Sequence, residues 1–138
     1  MKKQLSALLG LGLLLVATSA FSQTVVSKAN IPFNFIVTGK TLPAGDYTIT
    51  KLDLATTNLA IRSADMQTQM IVHPNRCEAL SAPTQSKLVF HRYGDRYFLA
   101  QIWSSGNVSG HELPTSQREA EVALDYPVQN VVIAADLR

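Results

Sequence analysis

The chain has one cysteine, Cys77, in 138 residues. One thiol cannot close an internal disulfide, so a small exported domain of this kind must be held by its core. Cys77 is expected to be a buried small hydrophobe, the common state of free cysteine. The alternative is a free thiol able to pair between chains. A membrane-length apolar run is also missing. The longest, Leu5 to Ala17, covers thirteen residues, short of the roughly 20 that a span needs. Cys-x-x-Cys, His-Glu-x-x-His and glycine-rich phosphate loops are absent, which removes the usual sequence signs of metal and nucleotide chemistry. His73 and Cys77 are four apart, a useful spacing on a helix but not on strands interrupted by Pro74. No metal and no cofactor is expected. Repeats, low-complexity tracts and linkers are missing too, and the helical period is almost absent after the N-terminus.

The N-terminus itself is informative. Lys2 and Lys3 precede the apolar run, and Ala20-Phe21-Ser22 is a small-x-small site. This is the pattern of a secretory signal peptide over residues 1 to 22, with cleavage before Gln23. The expected product is one β-rich domain, residues 23 to 138, secreted or periplasmic and with no stable membrane span. Loss of Lys2 and Lys3 takes Lys+Arg from 12 to 10, equal to the 10 Asp+Glu. A neutral domain gives no electrostatic reason to bind nucleic acid. Near-zero charge does favour association.

Period-two alternation and turn signals dominate, which points to an all-β domain. Ile31, Phe33, Phe35 and Val37 alternate onto one face, and residues 46 to 52 resume after a turn at Leu42-Pro43-Ala44-Gly45. Residues 58 to 63 and 68 to 74 read as two short strands around the turn 64 to 67. A short strand and a loop follow from Cys77, another strand lies near residues 107 to 114, and residues 131 to 138 suggest a last one. The helix signal is Ser116-Gln117-Arg118-Glu119, a capping box opening residues 117 to 124. Tyr126-Pro127 should end it. Glu119 and Glu121, two apart, read as a solvated helix face.

The strongest hairpin is "KLVFHRYGDRYFLAQIW". Gly94-Asp95 has the type II′ preference. The implied register pairs Tyr93 with Arg96, Arg92 with Tyr97, His91 with Phe98, Phe90 with Leu99 and Val89 with Ala100. Strict alternation then puts Val89, His91, Tyr93, Arg96, Phe98, Ala100 and Ile102 on one face. Leu88, Phe90, Arg92, Tyr97, Leu99, Gln101 and Trp103 fall on the other. Both faces are apolar away from the turn, so both need a cover: a facing sheet on one side, the C-terminal helix or a partner chain on the other. His91 and Arg92 point opposite ways, so the charges at the tip do not converge as a catalytic site requires. "GNVSG" at 106 to 110 misses the nucleophile-elbow spacing by one residue and lies in β context. Asn107-Val108-Ser109 is a glycosylation triplet expected to be idle.

The segments "IPFNFIVTGKTLPAGDYTI", "KLVFHRYGDRYFLAQIW" and "GHELPTSQREAEVA" resemble a family of small exported β-rich proteins of soil bacteria of the Acidobacteria type. The likeness covers most of residues 23 to 125. It implies export and a compact β fold, and brings no catalytic residues with it.

The expectation is a single-domain antiparallel β-sandwich or partly open barrel with one short C-terminal helix. Its expected role is non-enzymatic: binding a protein partner or forming a homo-oligomer in the cell envelope or outside the cell. Tyr93, Arg96, Tyr97 and Trp103 are the candidate binding surface. The alternative is a carbohydrate-binding module, in which Trp103, Tyr97 or Tyr93 stacks on a sugar.

Overall fold

Gly94 makes the central hairpin possible. In the computed structural model, which describes residues 24 to 53 and 55 to 136, Gly94 has φ 64° while Asp95 stays outside the left-handed region. That is the φ pattern of a type II′ turn. The turn joins the two longest strands of one sheet. The leader expected over residues 1 to 22 and its cleavage site lie outside the described residues.

The elements run in chain order as β1 (Thr24–Ile31), β2 (Phe35–Val37), β3 (Lys40–Leu42), β4 (Gly45–Lys51), β5 (Leu59–Ser63) and β6 (Gln69–Val72), followed by β7 (Asn75–Glu78), β8 (Lys87–Tyr93), β9 (Arg96–Trp103), β10 (Ser109–Glu112), α1 (Gln117–Ala123) and β11 (Gln129–Ala134). They form two sheets. One has the order β1-β4-β5-β6. The other has the order β11-β8-β9-β10-β7, with β2 beside β9 and β3 beside β2. The pairings are antiparallel except β2 with β9, which meet in parallel at Ile36 and Phe98. The fold is therefore the expected all-β sandwich with one short helix.

The core lies between the sheets. Ile31, Tyr47, Ile49, Leu59, Ile61 and Val72 come from the four-stranded sheet. Phe35, Leu42, Leu88, Phe90, Leu99 and Ile102 face them. Phe35 meets Tyr47 edge-on at 5.1 Å and Phe90 at 5.6 Å. Burying one such aromatic side chain stabilises the fold by roughly 1.5–3 kcal/mol.

The structure corrects the expected layout of the β1–β3 region and the central hairpin in three places. The first strand begins at Thr24, not Ile31. Its inward residues are Ser27, Ala29 and Ile31, opposite Ile49, Tyr47 and Gly45. A serine, an alanine and a register shift between Val25 and Ser27 hid the alternation. Second, Pro32 breaks the run 31 to 37. Thr38 at φ 49° and Gly39 at φ 81° then turn β2 into β3, making a small hairpin where a single strand had been expected. Third, the central register holds from the turn to Phe90–Leu99 and then slips. Val89 pairs with Gln101, not Ala100. Ala100 is the extra residue of a β-bulge, which shifts every later side chain to the opposite face. Ile102 therefore joins Leu88 and Phe90 in the core, while Trp103 moves to the outer face.

Cys77 is half-buried on β7, not buried in the core. Burial, followed by the nearby Glu112 carboxylate, raises its thiol pKa. The last strand is ordered as β11. Beyond it, Asp136 exchanges both backbone hydrogen bonds with Lys28 at 2.8 Å, tying the tail of one sheet to the edge of the other.

Candidate functional site

The outer face of the β8–β9 hairpin has its own small apolar cluster of Ile36, Tyr93, Phe98 and Val122. Helix α1 is the cover. Ser116 caps it, and its hydroxyl accepts from Glu119 N at 3.2 Å, as the capping-box motif predicts. The second half of the motif is diverted. The Glu119 carboxylate turns inward: Oε2 accepts from the Tyr93 hydroxyl at 2.9 Å and lies 2.8 Å from His91 Nδ1. Glu119 is only 5% exposed, so the expectation of a solvated face fails for this residue. Glu119 and Val122 are three residues apart and share a helix face, so one anchors by hydrogen bonds where the other packs.

This arrangement shapes the local chemistry. Burial, then the hydrogen bond to Glu119 and the carboxylate's charge, push the Tyr93 phenol up to about 12. The phenol stays a donor across the physiological range. His91, Tyr93 and Glu119 form a fastener between helix and hairpin. Sequence reading placed His91 and Tyr93 on one face but missed Glu119, 28 residues from His91. The available signal was a helix that had to cover an apolar hairpin face, with a carboxylate one turn in from its cap.

The expected binding residues do not gather on one surface. Tyr93 is buried under α1 at 6% exposure. Arg96 is exposed at the hairpin tip. Half-buried Tyr97 stacks on Phe33 with ring centroids 3.8 Å apart, and the Arg92 guanidinium lies 5.4 Å from its centroid. Arg92 also donates from Nε to the Gly94 carbonyl at 2.7 Å. Trp103 is 7% exposed and lies against Gly110, where an added Cβ would sit 2.6 Å from the indole. Its Nε1 donates to Gln101 at 3.0 Å. These three rings offer no common exposed plane on which a sugar could stack.

Exposed large hydrophobic residues follow α1 in the chain, while Met66, Ile71, Leu80 and Val108 are exposed elsewhere. Leu124, Tyr126, Val128 and Val132 are all exposed. The Tyr126 ring lies over the turn, 3.4 Å from where a Cβ on Gly94 would sit. Val132, 55% exposed, stands opposite Val89 on the outer face, while Val131 and Ile133 pack into the core. β11 ends its sheet and pairs with β8 alone. Ala135 N bonds Ser86 on the β8 side, and Asp136 N bonds Lys28 on the opposite side. Backbone groups alternate along a strand, so those of Asn130, Val132 and Ala134 point away from β8, on a side that β1 approaches where the chain reaches Asp136 and that no strand among the described residues pairs before it.

Among the described residues, no group of three or more His, Cys, Asp and Glu side chains is placed to hold a metal ion. No helix among them is long and apolar enough to cross a membrane. No protein-family model, curated protein or solved structure matches the chain.

Proposed function

We propose that this protein is an exported, non-enzymatic interaction domain that works by self-association, two copies joining edge to edge through β11. The observation that carries the reading is the β11 edge. Exposed edge strands are usually blunted by lysine, proline or extreme shortness. β11 has six residues, Gln129 to Ala134, with no charge and no proline. Val132 is exposed on the strand, and Leu124, Tyr126 and Val128 are exposed in the segment that leads into it.

A second copy is the occupant that fits. Two antiparallel β11 strands related by a two-fold axis at Val132 would set Val132 against Val132 and Asn130 against Ala134, and the pairing would stop there because Asp136 is already bonded to Lys28. The patch would be self-complementary, as an isologous interface requires. Equal numbers of basic and acidic residues from position 23 onward leave no net charge to oppose the contact. The non-enzymatic reading is supported by the use of the buried carboxylate: Glu119 is committed to His91 and Tyr93 and fastens the helix. Export rests on the leader-like N-terminus, in keeping with the resemblance to small exported β proteins.

Sedimentation or light scattering of the purified protein tests this. The expected result is a mass that climbs to twice the protomer's with concentration, and a Val132→Lys protein that stays monomeric with its melting temperature nearly unchanged when dilute. A wild-type protein that remains a monomer at high concentration overturns the reading.

A further inference from the structure

At the far end of the molecule from β11, the two sheets meet around a cleft of about 220 Å³. Lys51 enters from the end of β4, Thr57 from the loop before β5 and Arg76 from β7. Asn107, Ser109 and His111 come from β10 and its approach. The charges are one-sided. Among the described residues, Lys51 makes no ion pair, and Arg76 has only a 3.9 Å contact with Glu78 in which both side chains are 68% exposed. The nearby carboxylate of Asp53 is occupied by its own loop, accepting from Ala55 N, Thr56 N and the Thr56 hydroxyl.

The hydrogen-bonding inventory of the cleft is equally lopsided. Ser109 Oγ accepts from Arg76 Nη2 at 2.8 Å, which leaves the serine proton free to donate. Asn107 Oδ1 accepts from Ser109 N at 2.9 Å, leaving the amide N–H groups without a partner among the described residues. Thr57 gives its proton to Pro74 O at 2.6 Å. Lys51 and Arg76 can only donate. The lining therefore offers an ammonium, part of a guanidinium, a hydroxyl and an amide as donors, and its side-chain acceptors, the His111 ring and the Thr57 oxygen, carry no negative charge. Half-buried His111 feels this field: burial and then the Lys51 ammonium push its imidazole pKa down.

We infer that this cleft is a binding site for an oxyanion, a phosphate, sulfate or carboxylate group carried by a small molecule. Arg76 supplies the planar fork that suits such groups and Lys51 a movable point charge. Ser109 and Asn107 add neutral donors. The volume is below the roughly 300–1,000 Å³ of drug-sized sites, so the cleft takes a small anion or the anionic end of a larger molecule. The site is independent of β11 and does not require self-association.

The test is a titration with inorganic phosphate at constant ionic strength, using the His111 ring signal, assigned by its loss in His111→Gln. Sulfate and acetate form parallel arms, with chloride as the control. Expected is a saturating shift with a dissociation constant tighter than about 10 mM, and a rise in the His111 pKa as the anion arrives. Lys51→Met should weaken phosphate binding at least tenfold, and Lys51→Arg should restore most of it. The ranking of phosphate, sulfate and acetate names the group preferred. A linear, non-saturating response overturns the inference, as does a saturating one that Lys51→Met leaves unchanged. Arg76→Gln, on an exposed side chain, provides a second variant if Lys51→Met melts early.

Discussion

The two ends of the larger sheet make opposite use of an edge strand. β7, at one end, has four residues, Asn75 to Glu78, with Arg76 and Glu78 extending into water. It is short and charged, and it borders a polar cleft. β11, at the other end, has six residues and no charge. It carries the exposed Val132 and follows the exposed Leu124, Tyr126 and Val128. The same backbone problem, an unpaired row of N–H and C=O groups, is blunted at one end and left open at the other. Side-chain chemistry separates the two edges, and the two proposals follow from it: an anion beside β7, a second strand at β11.

Breaking the support behind each edge should separate them. The largest effect is expected from Gly110→Ala on the β7 side. The new Cβ would lie 2.6–2.8 Å from three atoms of a buried indole, and overpacking of this kind costs about 3 kcal/mol. Denaturant melts should show that loss, while the proposed self-association through β11 should be unaffected. Next is Glu119→Ala on the α1–β11 side. It leaves the buried Tyr93 hydroxyl and His91 without their acceptor, at a cost of about 2 kcal/mol. Because α1 leads into β11 through a five-residue link, the proposed dimer should weaken as well, a response that Gly110→Ala should lack.

The smallest effect at neutral pH comes from Tyr93→Phe, about 1 kcal/mol for one hydrogen bond, and it sharpens the contrast through pH. The native Tyr93 phenol holds its proton up to about 12, while the unfolded chain releases it near pH 10. Its contribution is therefore full below pH 10 and lost as pH rises through 12. Tyr47, also raised by burial, contributes in the same direction, so Tyr93→Phe should flatten the alkaline loss without abolishing it. The β7 side responds at the other end of the scale. His111 is held below its usual pKa, so its neutral form favours folding above about 6.5 and that contribution fades as pH falls below it. Stability of His111→Gln should be less sensitive to mild acid. Melting temperatures measured at acid, neutral and alkaline pH would separate the two ends.

Much of the strand layout was legible because its causes are local. Gly94 at a two-residue turn, Ser116 as a cap and the alternation of 88 to 90 and 97 to 99 depend on neighbours a few residues away. The failures occurred where a local pattern met a distant partner. Ala100 reads as one more alternating residue, and only pairing with β8 makes it a bulge. Ser27 reads as polar, yet packing of β1 against β4 buries it. Trp103 reads as a ring available for stacking, but Gly110 leaves room for the indole to lie flat and closes it off from solvent.

The candidate sites show the same division. The sequence determined that this is a β domain with little net charge, a leader-like N-terminus and a capped helix near its end. Those properties follow from composition, period and turn chemistry. Tertiary structure alone decided that the Glu119 carboxylate would turn from its capping role to His91 and Tyr93. It also brought Lys51, Arg76 and His111 to one cleft and left β11 as an uncharged edge. Each of these outcomes depends on which strands become neighbours, and sheet pairing is settled by the burial of a whole face, a quantity that no short stretch of sequence contains.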